Sequence, residues 1–195
     1  MIVIILLIVF AYVLGSVPSG YILGKLRGVD VRVVGSGNVG ATNVARAVGK
    51  FQGLITLIAD AAKGYLPVVA ALQSGQDALT IALTAIAAFL GHLYPVFLNF
   101  QGGKGVATGF GALLALAPMA TSILVVVFAL VVGVTRIVSL GSLATAVAAP
   151  LSLWLFYQPP VIVGMACFLG AMVIIRHRGN IERLLAGTEP RLGSD

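Results

Sequence analysis

Charged residues are scarce in this 195-residue sequence. Asp, Glu, Lys and Arg make up 9% of the chain, whereas they make up about a quarter of a soluble domain. Apolar residues make up 59%, and the mean hydropathy is +1.09. The chain has too few polar side chains to cover a water-facing surface, so its composition excludes a water-soluble enzyme and a disordered regulator.

Cysteine is also scarce, because Cys167 is the only one in the sequence. An internal disulfide needs two cysteines, so a disulfide-stapled secreted domain is excluded.

The apolar N-terminal stretch has no Lys or Arg ahead of it, unlike the basic start of a secretory signal peptide. We therefore predict a retained first membrane helix over residues 2–24.

Long apolar runs are abundant. They fall at 2–24, 53–72, 77–98, 105–117, 119–134, 137–157 and 160–175. Continuously apolar runs of this length favour helices over the alternating strands of a membrane barrel. The sequence predicts one all-α integral membrane domain over residues 1–195, with about seven transmembrane helices, some of them short.

The basic residues are distributed unevenly among the predicted connections. Five lie between the first two helices and others follow the third, fifth and seventh, while the remaining connections have none. By the positive-inside rule the N-terminus is predicted outside and the C-terminus in the cytoplasm. Lys104 and Arg136 then both lie on the cytoplasmic side, so an even number of crossings separates them. Residues 105–135 are therefore predicted to form two short helices broken at Pro118 rather than one long helix. The same bias explains the +6 net charge, and we expect no nucleic-acid partner.

Three polar segments fall on the predicted cytoplasmic side, and the first runs GSGNVGATN over residues 35–43. Glycines allow backbone N–H groups to point into one cavity, and Thr42 or Asn43 is placed to cap a short helix. This combination is typical of phosphate binding at a loop that opens a helix. The candidate binding residues are Ser36, Gly37, Asn38, Thr42 and Arg46. The alternative is an ordinary flexible loop.

The second polar segment runs GHLYPVFLNFQGGKG over residues 91–105. Gly102 and Gly103 are expected to expose backbone N–H groups, and Lys104 supplies a cation at the start of the predicted fourth helix. The alternative is a tight turn with an interfacial lysine. His92 either belongs to the site or bonds a backbone carbonyl.

The third polar segment runs HRGNIERLLAGTE over residues 177–189, where the last apolar run ends. His177 is suited to proton transfer near neutral pH. Asn180 either caps the tail helix or bonds a substrate. The alternative is a basic tail whose long side chains reach the membrane surface.

Polar residues also occur within the predicted spans. Asp60 and Lys63 lie three residues apart and either neutralise each other or support a pocket. Ser139 and Ser142 open the sixth helix near the same cytoplasmic level. Ser142 is a candidate substrate-binding residue, with helix packing as the alternative.

Together these segments indicate a phosphate-bearing substrate beside an apolar cavity open to lipid. The paired carboxylates of a Mg²⁺ site are missing, so no metal or cofactor is expected. No persuasive covalent nucleophile is present either, because Cys167 is remote and no GxSxG pattern occurs. Direct transfer between two bound substrates fits best. The other classes considered are a transporter for an organic phosphate and a purely structural membrane subunit.

The three polar segments resemble the three motifs of the bacterial acyl-phosphate:glycerol-3-phosphate acyltransferase family, and the resemblance covers essentially the whole chain. It implies transfer of a fatty acyl group from acyl phosphate to the 1-hydroxyl of glycerol-3-phosphate. The products are lysophosphatidate and inorganic phosphate, in the first acylation of phospholipid synthesis.

The resemblance also implies residue roles. Ser36, Asn38, Thr42 and Arg46 fall in the phosphate-binding motif; Gly102, Gly103 and Lys104 in the glycerol-3-phosphate motif; His177 and Asn180 in the catalytic motif; and Glu182 and Glu189 are more structural. We expect a monomer in the bacterial cytoplasmic membrane, surrounded by lipid, with its active site on the cytoplasmic side.

Overall fold

The structure is a computed structural model, and it describes residues 1–193. These residues form ten α-helices and one short 3-10 helix, and no β-strand occurs among them. The α-helices are α1 Ile2–Ser16, α2 Ser19–Lys25, α3 Ala41–Ala47, α4 Lys50–Gln73, α5 Ala78–Leu93, α6 Val106–Leu116, α7 Pro118–Thr135, α8 Val138–Leu155, α9 Pro160–Arg176 and α10 Arg178–Leu185. The 3-10 helix is Val96–Leu98. The prediction of an all-α protein is confirmed; residues 194–195 of the predicted domain lie outside the described part.

Every predicted apolar run contains helix. Within residues 1–193, five spans are long and apolar enough to cross a bilayer, and the first of them, Ile2–Lys25, contains both α1 and α2. The number is six if α9 and α10, whose axes are bent by 60°, are counted as one span. The short helix α6 has 11 residues and rises only about 16 Å, roughly half the hydrocarbon core of a bilayer. The count of about seven transmembrane helices stays a prediction.

Two prolines break apolar runs. The predicted break near Pro118 is confirmed, because α6 ends at Leu116 and α7 begins at Pro118. The first membrane helix predicted over 2–24 corresponds to one candidate span, Ile2–Lys25, but it is not continuous, since α1 ends at Ser16 and α2 begins at Ser19. Pro18 has no N–H to donate, and its ring favours extended backbone in the residue before it. Val17 accordingly has φ −61° and ψ 116°.

The chain divides into two compact units, Met1–Leu116 and Ala117–Asp195. In the first unit α1 packs on α5, and α4 packs on α6. Gly15 lies directly against the Ala88 backbone, and Gly64 against that of Thr108, with no room for a Cβ at either glycine. Small residues of this kind let membrane helices approach closely.

In the second unit α8 packs on both α7 and α9. Ser152 on α8 donates a hydrogen bond to the Ala120 carbonyl on α7 at 2.8 Å. On the other face of α8, the Ala146 carbonyl lies against Gly170 of α9. Hydroxyl-to-carbonyl bonds and glycine contacts therefore hold this helix between its neighbours.

Candidate active site

The first glycine-rich loop, residues 35–40, leads into α3. Gly35 and Gly37 have φ values of +61° and +68°, a region that strains any residue with a Cβ. The Gly37 N–H closes a turn on the Val34 carbonyl at 3.1 Å. Glycine at both positions therefore sets the path of this loop.

Asn43 holds the loop from inside the first unit, where it is 3% exposed. Its Nδ2 donates to the carbonyls of Val31 at 2.9 Å and Val34 at 3.0 Å, while its Oδ1 accepts from the Ser36 N–H at 2.9 Å. The expectation that Thr42 or Asn43 caps α3 is wrong. Gly40 is the N-cap and makes no side-chain cap bond, because Asn43 lies inside the helix and uses its amide to hold the loop.

The predicted phosphate-binding side chains of this segment lie at the surface. Ser36, Thr42 and Arg46 are exposed, and Asn38 is half-buried. The Asn38 Oδ1 accepts a hydrogen bond from the Gly40 N–H at 2.7 Å. A buried amide thus supports a loop whose exposed hydroxyls and guanidinium are suited to bind an anion.

The second glycine-rich loop, residues 102–105, folds back onto the end of α5. The Gly102 N–H donates to the Leu93 carbonyl, and the Gly103 N–H donates to the His92 carbonyl, both at 3.1 Å. The expectation that these two glycines expose their N–H groups to a ligand is therefore wrong. Lys104 follows directly and is half-buried.

Close packing explains why glycine occupies positions 102 and 103. A Cβ at Gly102 would meet the His92 carbonyl oxygen, and one at Gly103 would meet the His92 imidazole ring. Neither glycine has the positive φ seen in the first loop. The second loop therefore needs glycine for close approach to α5, and its cation comes from Lys104.

A buried ionic cluster lies in the same unit, on α4 and α5. Asp60 is 2% exposed, Lys63 5% and His92 7%. Lys63 Nζ donates to Asp60 Oδ1 at 2.5 Å, and His92 Nδ1 lies 3.8 Å from the same oxygen. The Thr108 hydroxyl donates to the Asp60 main-chain carbonyl at 2.9 Å. Lys63 therefore neutralises Asp60, and both residues also line a cavity, so both alternatives considered for this pair are supported.

The first two polar segments come together in the first unit. Val39 of the first loop shares one buried apolar cluster with Leu98, which precedes the second loop. Both residues also line a cavity of about 10 Å³ next to the ionic cluster. Sequence analysis did not anticipate this contact, because no spacing rule links a residue of a loop to one almost 60 positions later.

The third polar segment lies in the second unit, at the bend between α9 and α10. His177 lies between the two helices, as the C-cap of α9 and the N-cap of α10, and it is 2% exposed. Its Nδ1 lies 2.8 Å from the Val173 carbonyl oxygen. A carbonyl only accepts, so Nδ1 carries a hydrogen in this bond, and a neutral ring has its lone pair on Nε2.

Glu189 is the centre of a hydrogen-bond network beside this bend. Its Oε1 accepts from Ser139 Oγ and from Asn180 Nδ2, both at 2.6 Å. Its Oε2 accepts from Arg183 Nε at 2.7 Å. Burial raises the pKa of Glu189, but these hydrogen bonds and the Arg183 charge outweigh it, so the pKa lies below its usual value. The carboxylate is therefore ionised at neutral pH and fixes the Asn180 amide.

The two serines at the start of α8 behave differently. Ser139 donates to Glu189, whereas Ser142 donates to the Val138 carbonyl at 3.0 Å within its own helix. Sequence analysis missed Ser139 as a partner of the third segment, because 50 residues separate it from Glu189. The assignment of Ser142 to substrate binding stays a prediction.

Each unit offers a different chemistry. Exposed hydroxyls, Arg46 and Lys104 in the first unit are suited to phosphate groups. His177 and Asn180 in the second are suited to hold a hydroxyl group. Within residues 1–193, no three His, Cys, Asp or Glu residues come together as metal ligands would.

Known proteins match the chain over nearly its full length. The family model for glycerol-3-phosphate acyltransferase matches residues 5–187. The glycerol-3-phosphate acyltransferase of Geobacter metallireducens is 50% identical, with 96% of each chain covered. That of Trichlorobacter lovleyi is 49% identical, with 93% of each chain covered.

Two crystal structures of PlsY, an integral membrane glycerol 3-phosphate acyltransferase, also match. Its glycerol 3-phosphate form has a TM-score of 0.95 and 44% identity, and its lysophosphatidic acid form has 0.92 and 43%. Both alignments cover 98% of this chain and 96% of the solved one. With its apolar spans, the chain is a membrane protein and an acyltransferase, and it belongs to the glycerol-3-phosphate acyltransferase family.

Proposed function

We propose that the protein transfers a fatty acyl group from acyl phosphate to the 1-hydroxyl of glycerol-3-phosphate. The products are 1-acyl-glycerol-3-phosphate and inorganic phosphate. One observation carries the proposal: the similar PlsY was solved in both a glycerol 3-phosphate form and a lysophosphatidic acid form. Those two molecules are the acceptor and the acylated product of this reaction, which is the first acylation of phospholipid synthesis.

Acyl phosphate is the donor that the chain's own residues favour. It is a mixed anhydride with a good leaving group, so no acyl-enzyme is needed, and both substrates carry phosphate. The exposed side chains of the first loop and Lys104 of the second provide cations and donors for two phosphates. The proposed binding residues are Ser36, Gly37, Asn38, Thr42, Arg46, Lys104 and Ser142. Gly102 and Gly103 are proposed to contribute by shaping the turn that carries Lys104.

His177 and Asn180 are the proposed catalytic residues. The Nδ1–H of His177 donates to Val173, so Nε2 accepts a hydrogen bond from the attacking hydroxyl. The Glu189 carboxylate fixes Asn180, whose amide orients the same hydroxyl. Aligning the two substrates supplies up to roughly 7–11 kcal/mol of the barrier, and donors around the departing phosphate stabilise its charge.

The hydroxyl proton has two routes. As the new ester C–O bond forms and the acyl–phosphate C–O bond breaks, the proton goes either to His177 Nε2 or to an oxygen of the departing phosphate. We favour the phosphate, because Nδ1 of His177 contacts a backbone carbonyl. A carbonyl supports an imidazolium less well than a carboxylate does.

Two variants of His177 separate the routes. In His177→Gln the amide occupies the Nε2 position and orients the hydroxyl without acting as a base, whereas His177→Asn keeps only a donor near Nδ1. The phosphate route predicts that His177→Gln retains much more turnover than His177→Asn. Equal and complete loss in both would favour His177 as the base.

The proposed setting is the bacterial cytoplasmic membrane. The distribution of basic residues supports an N-terminus outside and a C-terminus in the cytoplasm, with about seven spans and the reaction on the cytoplasmic side. We propose that the protein works as a monomer and as one catalytic domain; a single family model covers residues of both compact units.

Phosphate release tests the proposed reaction. Purified protein in detergent or lipid mesophase receives palmitoyl phosphate and glycerol-3-phosphate, and lysophosphatidate is measured in the same sample. We expect release that requires both substrates and matches lysophosphatidate one for one, with palmitoyl-CoA inactive as donor. Lysophosphatidate formed from palmitoyl-CoA but not from palmitoyl phosphate would contradict the proposed donor.

A further inference from the structure

The Asp60–Lys63–His92 cluster has no role in the reaction proposed above. Its three side chains are at least nine-tenths buried, within helices α4 and α5. Replacing a buried ion pair by apolar residues of similar volume is often neutral or stabilising. Stability alone therefore explains poorly why this site holds two charges, and ionisable groups inside membrane spans usually mark function.

One continuous set of contacts leads from the cluster to Lys104. Asp60 Oδ1 faces His92 Nδ1 at 3.8 Å. The His92 imidazole packs against Gly103 so closely that a Cβ there would meet Nε2, Cε1 and Cδ2 of the ring. The His92 carbonyl also accepts the Gly103 N–H at 3.1 Å. His92 therefore holds Gly103 through both its ring and its backbone, and Lys104 is the next residue.

The chain beyond Lys104 is tied to the same turn of α4. Thr108, in the first turn of α6, donates to the Asp60 carbonyl oxygen at 2.9 Å. Gly64 packs against the Thr108 backbone without space for a Cβ. The backbone of Lys104 is thus held on both sides, by His92 before it and by α4 after it.

We propose that Asp60 and His92 are positioning residues that fix Lys104 for the phosphate of glycerol-3-phosphate. Asp60 orients the imidazole, the imidazole sets the Gly102–Gly103 turn, and the turn directs Lys104. The inference rests on the role proposed for Lys104. Neither Asp60 nor His92 contacts the reacting atoms, so their loss weakens substrate binding more than it slows the chemical step.

His92→Asn is the primary test. Asn keeps a polar group near the Nδ1 position, facing Asp60, but lacks the ring edge that packs on Gly103. We expect KM for glycerol-3-phosphate to rise about tenfold, by analogy with the loss seen when groups that orient metal-binding side chains are removed. We expect kcat and KM for palmitoyl phosphate to stay within about twofold, since the change acts on binding of one substrate.

Thr84→Val is the matched control. It removes a buried hydrogen bond, to the Thr80 carbonyl, from the helix that carries His92, while leaving Asp60, Lys63 and His92 unchanged. We expect a lower melting temperature with an unchanged KM for glycerol-3-phosphate. If His92→Asn instead changes kcat and both KM values together, or leaves KM for glycerol-3-phosphate within twofold of wild type, the proposal is overturned.

Gly103→Ala provides a second, independent test. Its Cβ forces the imidazole aside, so it should also raise KM for glycerol-3-phosphate. The double variant His92→Asn/Gly103→Ala removes that obstruction and should perform better than the product of the two single effects. Effects that simply multiply would overturn the proposal. Should His92→Asn fail to fold, Gly103→Ala decides alone: an unchanged KM for glycerol-3-phosphate counts against the proposal.

Calorimetric titration of glycerol-3-phosphate into each variant separates this inference from the proposed reaction. We expect weaker binding in His92→Asn and wild-type binding in Thr84→Val. Wild-type protein that binds glycerol-3-phosphate but releases no phosphate contradicts the proposed reaction, while the titrations still decide the positioning role.

Discussion

Two buried carboxylates, Asp60 in the first unit and Glu189 in the second, have contrasting surroundings. Asp60 lies on a long apolar helix beside Lys63, one turn along the same helix. Glu189 lies beyond the last helix and accepts hydrogen bonds from three partners along 50 residues of chain. Glu189 contacts Asn180, which is proposed to orient substrate, whereas Asp60 is proposed to act on Lys104 only through His92.

The two carboxylates differ in the groups that compensate their negative charges. Asp60 depends on one buried cation, Lys63, so removing either charge leaves the other isolated inside the protein. Glu189 divides its charge among a hydroxyl, an amide and Arg183, whose side chain is 41% exposed. A distributed network of this kind tolerates neutralisation better, while the direction of each hydrogen bond still fixes the Asn180 amide.

Asp60→Asn is expected to cause the largest loss of stability, about 3–5 kcal/mol, because Lys63 remains buried without its counter-charge. Thermal unfolding in detergent measures the effect. Adding Lys63→Met to the variant should restore most of the lost stability. A double variant as unstable as Asp60→Asn alone would show that the charge pair is not the cause.

Glu189→Gln should destabilise the protein less than Asp60→Asn does, and it should also lower kcat. We expect a loss of about 1.5–3 kcal/mol, the range for hydrogen bonds to a charged group, and a kcat about tenfold lower because Asn180 loses its orientation. Glu182→Gln, on the exposed side of α10, is the control and should match wild type. Equal kcat in both variants would contradict the role given to Glu189.

Ser139→Ala tests one arm of the Glu189 network. It should destabilise the protein by about 1.5 kcal/mol, the low end of the range for a hydrogen bond to a charged group, and lower kcat severalfold. Ser152→Ala on the same helix removes the bond to Ala120 and should lose similar stability without affecting kcat. A kcat loss of the same size in Ser152→Ala would mean that α8 packing, rather than Glu189, controls the rate.

The smallest effect concerns pH. The pKa of Glu189 is lowered in the folded protein from its ordinary 4.5, so the ionised form stabilises the fold above pH 4.5. That contribution declines as pH falls through the folded-state pKa. The difference in melting temperature between wild type and Glu189→Gln should therefore shrink as pH is lowered from 7 towards 4. A constant difference would exclude ionisation of Glu189 as its source.

The helices were the most predictable part of this protein. A segment in lipid must satisfy its own backbone hydrogen bonds, so length and apolarity alone identify it as a helix. The break at Pro118 followed from the charges on either side of it. The break at Pro18 has no such flanking charges, and sequence analysis merged α1 and α2 into one helix.

The polar motifs were visible in the sequence, but the purpose of their glycines was not. Gly35 and Gly37 are needed for positive φ, whereas Gly102 and Gly103 are needed to approach His92. The sequence pattern does not distinguish the two cases, because the residue that excludes a Cβ at Gly102 and Gly103 lies on another helix. The capping role expected of Asn43 failed for the same reason, since its partners precede it by 7 to 12 residues.

The sequence by itself determined that this is an all-helical membrane protein with three phosphate-like motifs and an acyltransferase resemblance. Those features depend on local composition and on residues close together in the chain. Only the tertiary structure decided which distant groups reach the buried carboxylates: His92 faces Asp60, and Ser139 joins Asn180 and Arg183 on Glu189. Hydrogen bonds and ion pairs depend on distance in space, and folding brings these partners together across helices that the sequence order keeps apart.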